Sequence, residues 1–124
     1  MANEITLSAS ISSEKGNVEE ISRAISSLLA TVSGNGFIHN VQSIATTEAA
    51  LNLAGVTIAG GWAFLKNLDD TNYLEVRSGT GASNDIIRLN AGEFAMFRWG
   101  SDVTAPYAIA NTAACLLEYI FWPA

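Results

Sequence analysis

Charge is scarce in this sequence. Only 15% of its 124 residues are charged, whereas 49% are hydrophobic, and soluble domains usually carry about 25% charged residues. A lone soluble monomer normally has more charge on its surface. The shortage therefore indicates that part of the surface is covered, most simply by copies of the same chain. The length is close to that of one ordinary domain.

Positive charge is scarcer still, and it is never clustered. The net charge is −6, and the six basic residues stand singly, at Lys15, Arg23, Lys66, Arg77, Arg88 and Arg98. A protein that binds nucleic acid or an anionic membrane needs a basic patch to neutralise phosphates. The sequence therefore predicts partners that are neither nucleic acid nor membrane.

The residues that perform most catalytic and metal chemistry are nearly absent. His39 is the only histidine and Cys115 the only cysteine, so an ordinary transition-metal site is not expected and no internal disulfide can form. Asp69 and Asp70 offer oxygen ligands for Ca²⁺, but their spacing does not fit an EF-hand loop. No nucleophile elbow or phosphate-binding glycine loop is present. We predict a non-enzymatic protein without catalytic residues, metal or cofactor.

Long apolar runs are also missing. The longest uncharged stretch near the C-terminus, residues 103–117, contains Pro106 and Asn111 and does not resemble a membrane helix. The first four residues lack the basic start and apolar run of a signal peptide. We expect the chain to be made and folded in a cytoplasm, which also suits a single cysteine.

What the sequence does have is alternation with a period of two. Residues 4–13 place Ile5, Leu7, Ala9 and Ile11 between small polar residues, which predicts a half-buried strand, with a turn at 14–17. Further strands are predicted at 36–45, 49–53, 61–68, 72–78, 85–89, 93–99, 105–110 and 113–122. Short strands with frequent turns are typical of an all-β protein. We predict one antiparallel β-sandwich over 1–124, jelly-roll-like, with residues 1–17 as a strand or arm.

The segment 18–32 fits two structures. Its apolar residues lie at helical spacing, at Val18, Ile21, Ile25, Leu28, Leu29 and Val32, which is typical of an amphipathic helix. Alternation across 29–32 and 37–41, on either side of a glycine-rich turn, equally permits a hairpin. The strand-rich remainder favours strand here over a short helix.

The stretch 67–73 is compatible with two roles, a site that performs chemistry or a turn that supports the fold. Its turn-forming residues are Asn67, Asp69, Asp70, Thr71 and Asn72, and they lie between two strand-like runs. Asparagine and aspartate side chains hydrogen-bond the nearby backbone in turns. We therefore predict a structural hairpin corner at 69–72.

The aromatic residues are compatible with a sugar-binding surface or with packing in the core and at subunit contacts. Trp62, Trp99, Trp122 and Tyr107 can form a face on which sugars stack, although core packing and subunit anchoring are the commoner roles. Residues 115–122 are apolar on both faces except at Glu118, so the second face needs cover from another molecule. We predict an oligomer or capsid interface with these anchors: Trp62, Trp99, Tyr119, Phe121 and Trp122.

Several short motifs occur in a recognisable order. Gly61-Trp62 leads to Asn67-Leu68-Asp69 and Thr71-Asn72-Tyr73, then to Leu89 and Gly92-Glu93, and last to Thr112-Ala113-Ala114. This order resembles a loose group of small β-sandwich structural proteins of tailed bacteriophages, of the head decoration or cement kind. The resemblance runs from about residue 37 to residue 124.

The resemblance implies a virion component without enzymatic activity. It implies a cement protein on the major capsid lattice, self-associated as a homotrimer, made in the host cytoplasm and located in the virion. A tail, neck or fibre-base subunit is the first alternative, and a carbohydrate-binding module is the second. The group marks no catalytic residues, and the segment 18–32 departs from its β pattern.

Overall fold

A computed structural model of the chain describes residues 4–15, 18–32 and 36–124. The chain divides into two compact units, Met1–Ser33 and Gly34–Ala124. Both are built from antiparallel strands, and the described residues contain one three-residue 3-10 turn but no α-helix. The prediction of an all-β fold is confirmed. Among the described residues, no helix has the length and apolarity needed to cross a bilayer.

The first unit is a long β-hairpin. Strand β1 spans Glu4–Lys15 and β2 spans Val18–Thr31, and they pair antiparallel from Glu4–Thr31 to Lys15–Val18. The segment 18–32 is thus almost wholly strand, as favoured, and the helical alternative is wrong. Part of the predicted turn at 14–17 lies outside the described residues.

The second unit contains eight strands. They are β3 (Ile38–Ile44), β4 (Ala49–Ala50), β5 (Trp62–Asn67), β6 (Leu74–Arg77), β7 (Asp85–Leu89), β8 (Phe94–Arg98), β9 (Tyr107–Ala110) and β10 (Cys115–Phe121), with a 3-10 turn at Ala82–Asn84. Each strand lies within a range that alternation predicts. Because β3 pairs with β10, and β2 with β1, the permitted hairpin between 29–32 and 37–41 does not form.

The eight strands form two four-stranded sheets in jelly-roll order. One sheet runs β3-β10-β5-β8 and the other β4-β9-β6-β7. The first strand pairs with the last, the second with the seventh, the third with the sixth and the fourth with the fifth. This is a long hairpin rolled into two layers, which is the jelly-roll arrangement. The sandwich itself is confined to the second unit.

The core lies between the two sheets of this unit. Every second residue of β10 is buried, at Cys115, Leu117, Tyr119 and Phe121, as the two-residue period of a strand requires. Trp99 packs edge-on against the Phe121 ring at 5.4 Å between centroids, and the Tyr119 and Phe121 rings stack at 4.8 Å. These rings bury large apolar areas between the sheets, and β10 is one of the two inner strands of its own sheet.

A polar network sits at the edge of this core. The Tyr119 hydroxyl donates to the Asn52 carbonyl at 2.7 Å, lies 2.9 Å from Gln42 Oε1 and accepts from Asn40 Nδ2 at 3.0 Å. Gln42 in turn donates to the Ala50 carbonyl at 3.0 Å. These bonds join the β3–β10 pair to β4 of the opposite sheet and to the segment that follows it. Burial raises the pKa of the Tyr119 phenol.

Candidate assembly surface

The corner at 67–72 is held together by its own side chains. The Asn67 amide is completely buried and donates to the carbonyls of Asn72, Leu89 and Asn90 at 2.9–3.3 Å. Its oxygen accepts from the Asp69 backbone N–H at 3.0 Å. One side chain therefore closes both the corner after β5 and the turn before β8.

Asp69 completes the corner. Its carboxylate accepts the backbone N–H of Asn72 at 2.6 Å and that of Thr71 at 3.0 Å. These two bonds lower the pKa of Asp69. Asp70 accepts only from the Thr71 hydroxyl at 2.9 Å. This geometry is turn chemistry, and Asp69 makes more of these bonds than Asp70. The corner is not a hairpin, however, because β5 and β6 lie in different sheets and do not pair.

Metal-binding geometry is not seen in the described part of the chain. Within residues 4–15, 18–32 and 36–124, no three histidine, cysteine or acidic side chains come together as metal ligands would. His39 forms a pair with Glu118, at 2.8 Å between Nε2 and Oε2, on an exposed part of the sheet. Cys115 is buried, and desolvation raises the pKa of its thiol, so it is a core residue and a poor nucleophile.

A charged cluster centres on Arg77. Its guanidinium contacts the Asp85 and Glu48 carboxylates, at 2.5 and 2.6 Å. Glu48 also accepts the Gly81 backbone N–H at 2.7 Å, and both contacts lower the pKa of Glu48, that with Arg77 more. The cluster ties the loop 79–84 to the strand ends around it. All its charges have partners inside the protein, so it holds a loop in place.

The same sheet carries Glu75 beside this cluster. Burial, followed by the hydrogen bond and charge of Asp85, raises the pKa of Glu75. Arg88 lies opposite Glu75 in the register and packs over the Tyr73 ring at 3.5 Å. Glu75 is therefore the acidic group in this sheet whose protonation the fold favours.

A shallow groove runs between the edge strands β7 and β8. It has a volume of about 530 Å³ and is lined by Ile87, Arg88, Leu89, Gly92, Glu93, Phe94 and Ala95. Its two charged residues are both engaged: Arg88 donates to Asn90 Oδ1 and Glu93 accepts the Asn90 backbone N–H. The lining offers no nucleophile or acid pair poised for chemistry.

The predicted interface residues separate into two groups. Trp99, Tyr119 and Phe121 lie inside the sandwich and are almost fully buried. Their side chains fill the core between the sheets, so as surface anchors they are misplaced, and this part of the prediction is corrected. Trp62 and Trp122 are half-buried at one end of the outer side of the β3-β10-β5-β8 sheet. For these two the interface remains a prediction.

The proposed sugar-stacking group is not assembled as a set. Trp99 is in the core, whereas Tyr107 lies on β9 in the other sheet from Trp62. The Trp62 ring is covered on one side by the Arg98 guanidinium at 4.9 Å from the ring centroid. Arg98 is held there because it donates to the Gly60 carbonyl at 2.6 Å.

The outer side of the β3-β10-β5-β8 sheet is largely apolar. Because inward residues alternate with outward ones, the register aligns Ile120 with Phe64 and Phe64 with Met96 across three strands. We call the apolar outward residues of this sheet the apolar face: Val41, Trp62, Phe64, Phe94, Met96, Leu116, Ile120 and Trp122. The polar outward residues lie among them, at His39, Ser43, Lys66, Arg98 and Glu118. Val41, Phe94 and Leu116 are strongly exposed.

Two of the charged residues on the outer side of this sheet are opposite-sign neighbours, whereas Arg98 lies against the Trp62 ring. Glu118 lies opposite Lys66 in the register of β10 and β5, and it also bonds His39. This pair lies on the two inner strands, between Val41 on β3 and Phe94 on β8, so the face combines exposed apolar residues with a charge-balanced pair. Protein–protein contacts commonly mix apolar and polar groups in this way. Sequence reasoning did not identify Phe64, Met96 and Ile120 as interface residues, although alternation along 61–68, 93–99 and 113–122 places them on the side opposite the buried positions.

Comparison of the chain with family models, with characterised proteins and with solved structures finds no match in any of the three.

Proposed function

We propose that this protein is a non-enzymatic virion structural protein, a capsid decoration or cement protein that binds the major capsid lattice and associates with copies of itself. The observation that carries the proposal is the apolar face, on which Val41, Phe94 and Leu116 are 48%, 61% and 50% exposed. Single exposed apolar residues are ordinary on soluble proteins, but a contiguous set across four strands marks an interaction site.

The surface chemistry supports an assembly role over catalysis. Asp69 and the Glu48–Arg77 pair, whose pKa values are shifted, hold a turn and a loop in place, and burial raises the pKa of the Cys115 thiol, which makes it a poor nucleophile. The low charge content suits a protein that works with much of its surface covered. The order of the motifs resembles that of phage head decoration proteins, and this resemblance supports the virus particle as the place where the protein binds.

Particle binding tests the proposal. Heads purified without this chain are incubated with the purified protein, and its copy number per major capsid protein is measured by quantitative mass spectrometry. We expect saturable, stoichiometric binding to heads. Binding to tails alone would favour a tail, neck or fibre-base subunit instead. Binding on a glycan array without particle binding would favour a carbohydrate-binding module.

A matched pair of variants identifies the surface. Leu116 on the apolar face is 50% exposed, and Ile86 on the other sheet is 43% exposed. Leu116→Ser is expected to weaken particle binding by about 1–2 kcal/mol, whereas Ile86→Ser leaves it unchanged. Equal effects of the two variants would mean that the apolar face is not the contact.

A further inference from the structure

Strand β8 forms an open edge of its sheet. It pairs with β5 alone, since the strand order is β3-β10-β5-β8. The Trp99 N–H donates to the Gly61 carbonyl at 2.8 Å, and the Asn67 N–H donates to the Glu93 carbonyl at 2.9 Å. In an antiparallel pair every second residue turns its backbone groups to the partner strand. The odd-numbered residues of β8 therefore face β5, and the even-numbered ones turn their N–H and C=O groups to the open edge.

The even-numbered residues of β8 are Phe94, Met96 and Arg98. Their backbone N–H and C=O groups form no hydrogen bond to any residue among 4–15, 18–32 and 36–124. Their side chains lie on the outer side of the sheet, where Phe94 is 61% exposed. A row of unpaired backbone groups is a template for a further strand. This edge therefore presents ladder donors, ladder acceptors and apolar side chains together.

The other three edge strands of the sandwich have protection that β8 lacks. Strand β4 has only two residues, and β7 has a break in its register opposite Val76 and Arg77. Beside β3, the Gln42 side chain donates to the Ala50 carbonyl at 3.0 Å and accepts the Asn52 N–H at 2.9 Å. Short length, bulges and side-chain cover are common ways to block an edge. Strand β8 instead has five residues in regular register and no proline.

The charged residues at the two ends of β8 are already engaged within the chain. The Arg98 guanidinium lies 4.9 Å from the centroid of the Trp62 ring on β5 and donates to the Gly60 carbonyl. The Glu93 carboxylate accepts the Asn90 N–H at 2.7 Å. The groove between β7 and β8, about 530 Å³ in volume, leaves space beside the edge. A strand can therefore approach β8 without first displacing a free charge.

We infer that β8 pairs with β8 of a second copy, antiparallel about a two-fold axis at Met96. In this register Met96 lies opposite the partner's Met96, and Phe94 of each copy lies opposite Arg98 of the other. These are the residues that turn their backbone groups to the edge, so each pair exchanges two N–H···O=C bonds and the contact contains about six. The two four-stranded sheets become one continuous sheet.

The residue pattern of β8 suits its own copy. Directly paired residues point to the same side of a sheet, so the apolar faces of the two copies join at Phe94 and Met96. Like charges stay apart, because Arg98 of each copy lies between its own Trp62 ring and Phe94 of the other, a favourable place for a guanidinium. A two-fold axis uses the same edge twice and leaves none of these backbone groups unpaired. The shortage of charge in the chain also favours contact with copies of itself.

The inference specifies the self-association in the proposed function and rests on that function for its biological purpose. It is nevertheless measured on the purified full chain without particles. A dimer that does not bind heads would keep the inference and remove the proposed function. Stoichiometric binding to heads by a monomer would do the reverse.

The first experiment measures amide hydrogen exchange by NMR over a concentration series, with the dimer fraction taken from sedimentation equilibrium. The N–H groups of Phe94, Met96 and Arg98 should exchange about tenfold more slowly or better as the dimer forms. Those of Ala95 and Phe97, which face β5, should be protected at every concentration. Contact between apolar faces alone would not produce this alternation, because it leaves the edge groups unpaired.

The second experiment places charges on the two-fold axis. Met96→Lys and Met96→Glu should each raise the dissociation constant of the dimer about tenfold or more, because like charges then lie directly opposite each other. An equal mixture of the two variants should pair within about threefold of the wild type, since a lysine then faces a glutamate. Tryptophan fluorescence reports whether the sandwich stays folded.

Leu116 provides the matched control. It is 50% exposed on the same side of the sheet, but it lies on the inner strand β10, away from the edge. Leu116→Lys and Leu116→Glu, alone or mixed, should leave the dissociation constant within about twofold of the wild type.

The inference is overturned by a wild-type monomer at all concentrations, by a trimer, or by edge amides whose exchange does not depend on concentration. It is also overturned if the mixed Met96 variants pair no better than either alone, or if the Leu116 variants weaken the dimer equally. A monomer whose edge amides become protected only on heads would overturn it too, and would assign the edge to a strand of the capsid lattice.

Discussion

Asn67 is the residue on which the corner after β5 depends. Its buried amide group replaces three separate backbone hydrogen bonds, to Asn72, Leu89 and Asn90. A buried carbonyl that loses its partner costs free energy, whereas an exposed one turns to water. This explains why an asparagine, with two donors and an acceptor on one short side chain, stands at the end of a strand.

Asn67→Ala is expected to lower the free energy of unfolding by about 2 kcal/mol, since buried carbonyls are left unpaired. Urea unfolding followed by tryptophan fluorescence measures this loss. Asn111→Ala, at an exposed asparagine, is the control and should change stability by less than about 0.5 kcal/mol. A similar loss in both variants would mean that the Asn67 bonds are not what holds the corner. Added Ca²⁺ should not shift the melting temperature.

Gly61 occupies a position with no room for a side chain. A Cβ there would lie 1.8 Å from the Trp122 carbonyl oxygen and 3.0 Å from that of Ile58. Both atoms belong to the backbone, so neither can move without disturbing β5 or the end of β10. The Gly61 carbonyl also accepts the Trp99 N–H at 2.8 Å, which ties three chain segments together.

Gly61→Ala should therefore destabilise the sandwich by about 3 kcal/mol or more, through overpacking against fixed backbone. Thermal unfolding measures it. Gly36→Ala is the matched control, because no atom lies within 4 Å of its added Cβ. If Gly61→Ala melted like Gly36→Ala, the close approach of Trp122 to Gly61 would not exist in solution.

At the scale of elements, alternation predicted the sandwich strands well and the first unit less well. Strands β3 to β10 each bury one side against one core, so their hydrophobic residues recur every two positions. A β-bulge at Ser27 breaks that period in β2: Ile25 and Leu28 share a side although they are three residues apart. Three-residue spacing imitates a helix, which is why the sequence left helix and strand open.

The outward residues were harder to predict than the strands. The sequence shows that 115–122 is apolar on both sides, and it thereby predicts an unpartnered face. It does not show which side points inward, because Tyr119 and Phe121 resemble interface anchors as much as core residues. The hydrogen-bond network of the buried Tyr119 hydroxyl could not be predicted either, because its partners, Asn40 and Asn52, come from segments that are distant in the sequence.

Strand β10 and Trp122, which directly follows it, therefore have two sides with separable roles. Trp122→Ala is expected to weaken assembly or particle binding by about 2 kcal/mol, since a half-buried ring at the apolar face would lose its contact. Size-exclusion chromatography and particle occupancy measure this. Tyr119→Phe, on the inner side of the same strand, should instead lower stability by about 1–2 kcal/mol and leave assembly unchanged. Loss of stability without loss of assembly in Trp122→Ala would place that ring in the core.

For the whole molecule, pH changes the free energy of unfolding mainly through the carboxylates of loops and strands. Hydrogen bonds lower the pKa of Asp69 and Glu48, so their stabilising contribution exists above the ordinary carboxyl range and is lost as pH falls through it. The pKa of Glu75 is shifted in the opposite direction. Its pKa is raised above the ordinary value of 4.5, so the fold favours its protonated form and loses that contribution as pH rises.

Glu75→Gln is therefore expected to raise the melting temperature at pH 7, because the uncharged amide removes the unfavourable burial and the repulsion from Asp85. The gain should shrink as pH falls toward 4, where the wild-type carboxyl is itself protonated. Thermal scans of both proteins from pH 4 to pH 8 give the comparison. A constant difference across this range would show that Glu75 does not titrate with folding.

The pairing of the first sandwich strand with the last has a kinetic consequence. His39 and Glu118 touch although 79 residues separate them in the chain, and β10 is the central strand that joins β3 to β5. A fold whose contacts span such long loops forms slowly, on the order of milliseconds to seconds. On a ribosome, moreover, β3 has no partner in its sheet until Phe121 has been synthesised and has left the exit tunnel, although β5 can already pair with β8. The sandwich should therefore gain protease resistance in one late step, after β10 emerges.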